Sequence, residues 1–201
     1  MLTDRDYTLI LDKSGSMATR DQRGGKSRWQ AARESTEALA ARCDELDPDG
    51  LTVYVFAGRF RRYEGVTASR VSQVFRENEP SGGTDLAGVL RHAVGDYFTR
   101  RTAGRTKPEG ETFLIVTDGE PDDRSDVMRL IVDATKQLTR DDELGLSFLQ
   151  IGGDPEATRF LRILDDELTR AGARHDIVDT LTFDEIEDVG LTEVLLRALH
   201  D

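Results

Sequence analysis

Tyr7-Thr8-Leu9-Ile10-Leu11-Asp12-Lys13-Ser14-Gly15-Ser16-Met17 is the stretch on which the reading of the chain turns. Its first five residues form a short, dense apolar run, which suits a strand buried on both faces. The run stops at a carboxylate, and two hydroxyls follow at alternate positions. In an extended chain alternate side chains point the same way, so Asp12, Ser14 and Ser16 can converge on one point. Oxygens clustered at a strand end suit a hard cation such as Mg2+. Three ligating groups are too few for a six-coordinate ion, so the stretch predicts further donors elsewhere in the chain.

Working outward, Asp12 to Lys26 is polar and glycine-containing, hence loop. Ser27 with Gln30 three residues later fits a capping box, opening a helix to about Leu46 with Trp29, Ala32, Thr36, Leu39, Ala40 and Cys43 on one face. Asp47-Pro48-Asp49-Gly50 is turn chemistry. Leu51 to Phe56 reads as a second apolar strand. A third, around Arg61 to Tyr63, follows too closely to pair in parallel, and its half-polar, arginine-rich pattern suits an antiparallel edge. A short helix is expected from Ala68 to about Phe75, then a loop at Pro80-Ser81-Gly82-Gly83-Thr84-Asp85. A longer helix carries Leu86, Val89, Leu90, Ala93, Val94 and Tyr97 at helical spacing. Thr112 to Thr117 is the most strand-like run, and Asp118-Gly119-Glu120-Pro121-Asp122-Asp123 is the loop at its end. Helix is expected from about Ser125 to Thr139, strand from Leu144 to Ile151, and a helix capped by Asp154 with Pro155 at its first position. A last strand spans His175 to Asp179. Thr182 and Glu185 form another capping box, opening a helix to His200. Strands alternating with helices imply an α/β fold with a mostly parallel sheet covered on both faces, read here as one domain over residues 1–201. In such sheets sites form at the C-terminal strand ends where the strand order reverses.

Composition narrows the function classes. The chain has 201 residues, 37% hydrophobic and 33% charged, with a net charge of −12. Charges of both signs are interspersed, as on solvated helix faces. The acidic balance argues against a general nucleic-acid binder, which shows a basic face. The one cysteine, Cys43, cannot form an internal disulfide and favours a reducing compartment. No signal peptide is visible in Met1-Leu2-Thr3-Asp4-Arg5-Asp6, and no run approaches the roughly 20 apolar residues of a membrane span. The expectation is a soluble, cytoplasmic protein with no membrane partner.

The missing oxygens are available. Gly82-Gly83-Thr84-Asp85 supplies a hydroxyl at Thr84, and Thr117-Asp118-Gly119 supplies a second carboxylate. With these in place the sequence resembles the von Willebrand factor A domains and the related integrin I domains. Their metal-ion-dependent adhesion site is a D-x-S-x-S loop, a later Thr and a later Asp, usually within T-D-G. Asp12, Ser14, Ser16, Thr84 and Asp118 appear in that order, at the predicted loops. The resemblance covers roughly Asp4 to His200. It implies a Rossmann-like three-layer sandwich with a six-stranded sheet in the order 3-2-1-4-5-6 and strand 3 antiparallel. It also implies direct metal binding by Ser14, Ser16 and Thr84, with Asp12 and Asp118 acting directly or through water. The cation would be Mg2+, with Mn2+ or Ca2+ as substitutes. The compact, intracellular character looks like the bacterial group that includes tellurium-resistance-like clusters.

Other features weigh less. Gly24-Gly25-Lys26-Ser27 has the end of a phosphate-binding loop, but Arg20 stands where its first glycine is required. Arg20, Arg23, Lys26 and Arg28 could contact an acidic partner beside the metal; a solvated loop is the favoured reading. Asp85 orients the Thr84 loop or caps the next helix, and Asp122 and Asp123 start the helix that follows them. Cys43 and Trp29 read as packing, and no His (92, 175, 200) belongs to a triad.

Two functions follow. The first is a Mg2+-dependent, non-enzymatic binding module in an intracellular complex, such as one with an ATPase or stress-response system; a partner's Asp or Glu carboxylate completes the metal shell. The second is a metal-dependent phosphohydrolase, since acids at parallel-strand ends also serve phosphoryl transfer. That chemistry would need a second Asp where Ser14 stands, and no general base is evident.

Overall fold

The computed structural model describes residues 5–46, 50–119 and 121–181, with side chains omitted for 42–46. Its elements follow the expected alternation: β1 (Asp6–Asp12), α1 (Arg28–Leu46), β2 (Leu51–Phe56), β3 (Phe60–Val66), α2 (Ala68–Glu77), α3 (Leu86–Thr102), β4 (Glu111–Thr117), α4 (Arg124–Thr135), β5 (Leu144–Gln150), α5 (Pro155–Asp166) and β6 (Val178–Leu181). They build a six-stranded sheet in the order β3-β2-β1-β4-β5-β6. Every neighbouring pair is parallel except β2 with β3, so the arginine-rich strand is the antiparallel edge.

The continuous apolar runs have a simple cause. Successive side chains of the central strands alternate between two cores. Ile10, Tyr54, Phe113, Ile115 and Phe148 point to the layer of α3, α4 and α5. Leu9, Leu11, Val53, Val55, Leu114 and Val116 point to α1 and α2. A strand covered on both faces has no solvent side to make polar. Trp29 closes the second layer, its ring 4.4 Å from that of Phe75.

Boundaries shift where local geometry intervenes. The helix expected to reach Thr139 ends at Thr135. Gln137 and Leu138 donate backbone hydrogen bonds three residues back, to Ala134 and Thr135, which tightens the last turn while Leu138 stays buried. The Thr135 hydroxyl bonds the Val132 carbonyl and receives the Arg174 N–H. The last strand, expected over His175–Asp179, runs from Val178 to Leu181. The helix expected from Thr182, the side chain of Cys43, and His200 lie outside the described residues. Among the described residues no helix is long and apolar enough to cross a membrane.

Candidate metal centre

The strand order reverses between β1 and β4, and Asp12 and Thr117 end those two strands. The backbone brings a third segment to the same edge. Gly15 N–H donates to Gly82 O at 3.2 Å, Ser81 N–H to Lys13 O at 2.7 Å, and Asp85 N–H to Ala57 O at 2.9 Å. The loop carrying Thr84 is thereby pinned against the turn that carries Ser14 and Ser16. Gly82 adopts a left-handed φ of 88°, which a side chain would strain.

Asp12 is fully buried and points inward to a framework role. One carboxylate oxygen accepts the Ser14 N–H at 2.7 Å and the other accepts the Thr117 hydroxyl at 2.8 Å. Burial pushes its carboxyl up to about 6; the Ser14 N–H and Thr117 hydroxyl pull it down, and the neighbouring Asp118 charge adds to the rise. Asp118 Oδ1 accepts from Ser16 Oγ at 2.8 Å and from Ser14 Oγ at 3.3 Å, and the two hydroxyls lie 3.0 Å apart. Ser14 and Asp118 are buried, whereas Ser16 is exposed. Four of the five oxygen-bearing side chains singled out from the sequence are therefore joined directly or through one backbone amide. Thr84 reaches the same edge through its loop's backbone.

This donor set fits a hard divalent cation. It is all oxygen, with neutral hydroxyls and two carboxylates close enough to repel, and one hydroxyl faces solvent. Among the described residues no group of three or more His, Cys, Asp or Glu side chains is placed to hold a metal ion, and the five side chains singled out here offer oxygen alone.

The supporting residues divide differently from the expectation. Asp123 caps α4, accepting the Asp126 N–H at 2.9 Å. Its neighbour Asp122 instead accepts the Thr84 N–H with both oxygens at 3.2 Å, while Thr84 O accepts the Asp122 N–H at 3.0 Å. Asp122 therefore orients the Thr84 loop, and Asp85 caps α3 through the Gly88 N–H at 2.8 Å. Sequence pattern could not separate adjacent aspartates, because both positions suit a helix start. Gly24 and Gly25 take φ of 75° and 71° in a tight turn bridged by Gln22 and Lys26, so the Gly-Gly-Lys-Ser segment is a turn ahead of α1.

Arg28 is the residue that sequence reasoning missed. The sequence pattern groups it with the solvated basic loop, yet its side chain is 12% exposed and its Nη1 lies 2.8 Å from Asp118 Oδ2. Nothing in the local pattern distinguishes it from Arg20, whose Nη1 donates to Gly25 O, or Lys26, which pairs with Glu34.

Residues 7–120 match the von Willebrand factor type A domain family. No curated protein sequence matches the chain. Among solved structures, the PilB minor pilin from Streptococcus sanguinis aligns with a TM-score of 0.66 at 13% identity, covering 98% of this chain and 62% of the pilin. The manganese-loaded TRAP protein of Plasmodium vivax aligns with a TM-score of 0.59 at 16% identity, over 98% of this chain and 74% of TRAP. The pilus adhesin SpaC from Lactobacillus rhamnosus GG aligns at 0.61 and 13% identity, over 96% of this chain and 30% of SpaC. At these identities the neighbours establish a shared fold.

Proposed function

The chain belongs to the von Willebrand factor type A domain family, and from that premise we propose that it is a metal-dependent binding module. Asp12, Ser14, Ser16, Thr84 and Asp118 would hold a divalent cation, Mg2+ by preference with Mn2+ or Ca2+ as substitutes. An Asp or Glu carboxylate of a protein partner would complete the shell. The observation that carries the reading is the convergence of the Ser14 and Ser16 hydroxyls on Asp118 Oδ1, at 3.3 and 2.8 Å. When bound, the cation would supply a Lewis-acidic position for one further oxygen, because five side chains leave a six-coordinate shell incomplete.

The chain's own groups bind and orient. Asp12 holds the turn through the Ser14 N–H, Asp122 holds the Thr84 loop, and a partner would approach from the exposed Ser16 side. No step of turnover is required, so the function is recognition. The manganese carried by TRAP supports a divalent ion, and the adhesin role named for SpaC supports non-catalytic use of the fold. We place the partner in an intracellular complex, such as an ATPase or stress-response assembly, a setting in keeping with a single cysteine.

Calorimetric titration of Mg2+ and Mn2+ tests the site: the wild type binds, and Asp118→Ala does not. Equal binding by both would sink the metal assignment. Partners captured equally with and without EDTA would argue against a metal-bridged contact. Phosphate-ester turnover that disappears with Asp12→Ala would favour the phosphohydrolase reading instead.

A further inference from the structure

Arg28 sits in a seat built by three segments. Its Nε and Nη2 donate to Asp21 Oδ2 at 2.9 and 2.6 Å, and its Nη1 donates to Asp118 Oδ2 at 2.8 Å. Its own N–H is held by Thr19 O at 3.0 Å. The third wall is Gly152, at φ 87°, where an added Cβ would fall 2.3 Å from the Arg28 Cζ. Gln150, fully buried, fixes that wall by donating to Gly152 O and Asp154 O at 3.1 and 2.9 Å. Asp118 is thus divided between two claims: Oδ1 faces the serine hydroxyls and Oδ2 faces a guanidinium.

We propose that Arg28 is a resident counter-cation of the metal centre, competing with the divalent ion for Asp118, and that Asp21 sets the strength of that competition by drawing the guanidinium away. The inference rests on the metal-binding reading above. A guanidinium stays charged at every working pH, so the competition cannot be titrated off. Buried this close, it is poorly screened by salt. In the metal-free protein it compensates a carboxylate that is otherwise buried beside a second one. Toward the ion it acts as a like charge across one carboxylate, which keeps affinity low enough for a partner's carboxylate to matter.

The signs of the variants distinguish this from mere support of the fold. Mn2+ affinity, read by calorimetry and by the paramagnetic resonance signal of free Mn2+, is expected to rise about tenfold in Arg28→Met and in Arg28→Gln. Arg28→Gln keeps a hydrogen-bond donor for Asp118 and removes the charge, so it serves if Arg28→Met fails to fold. Asp21→Asn is expected to weaken Mn2+ binding several-fold, and to have little effect in the Arg28→Gln background. The metal-free melting temperature of the Arg28 variants should fall while their Mn2+-induced rise grows. Wild-type binding with unchanged or weaker binding in both Arg28 variants overturns the counter-cation and leaves the metal site standing. A silent wild type with binding by an Arg28 variant supports it in its strongest form, and silence in every variant removes both readings.

Discussion

Burial holds the Asp12 carboxyl near 6 against an ordinary value of 3.8, and that gap has a direction. The folded, metal-free state prefers the protonated acid more than the unfolded chain does. Asp12 therefore favours folding most fully below pH 3.8, and the contribution is lost as pH rises through about 6. The gap corresponds to about 3 kcal/mol above that window. In EDTA, the melting temperature of Asp12→Asn should rise relative to wild type between pH 4 and 7; parallel curves from calorimetry would contradict the assignment. A bound cation reverses the preference, since it needs the ionised acid. The Asp12 carboxylate was legible from its place at a strand end; its raised pKa was not, because that depends on the layers packed around it.

At the scale of elements, α1 starts where its cap says it must. Ser27 N–H donates to Gln30 Oε1 at 2.9 Å and Gln30 N–H donates to Ser27 Oγ at 3.1 Å, the reciprocal pair read from the sequence. Ser27→Ala should cost about 1 kcal/mol in urea denaturation. The Thr84 loop is a different case, because its tie comes from another loop. Asp122→Ala leaves the Thr84 N–H without its acceptor and should destabilise the fold by about 1–2 kcal/mol. It should also weaken Mn2+ binding, whereas Asp123→Ala, which removes only a cap, should not. Equal metal affinity in the two variants would break the division of labour between these neighbours. The cap was visible because its partners lie three residues apart; the loop tie spans a separation no local pattern encodes.

The whole molecule is organised by one sheet whose two ends do different work. At the opposite end from the site, Glu111 is buried, accepting the Thr8 hydroxyl and the Arg100 guanidinium, both at 2.6 Å. β4 carries this group at its first residue and Thr117 at its last, about 20 Å apart along the strand. Glu111→Ala should cost about 3 kcal/mol or more, because Arg100 and Thr8 lose a buried partner. Metal affinity should be unchanged at temperatures where the variant is folded. A matching loss of affinity would show that the two ends are coupled through the sheet. The same sheet sets strand order, and order is why the site lies where it does: β1 and β4, adjacent in the sheet but separated in the chain by β2 and β3, flank the reversal.

Short-range pattern in the sequence was enough for the alternation of elements and the antiparallel edge, and it put Asp12, Ser14, Thr84 and Asp118 in the loops that the sheet gathers at one edge. These depend on short-range rules: apolar runs between buried faces, caps three residues apart, and a hairpin too short to cross over. What surrounds those oxygens came from the folded chain. It turned Arg28 inward to Asp118, separated the roles of Asp122 and Asp123, and raised Asp12. Each follows from groups brought together across distant positions, as with the separation of 90 residues between Arg28 and Asp118. Charge and burial act through space, so one arginine among several in a loop acquires its meaning only once the sheet has folded.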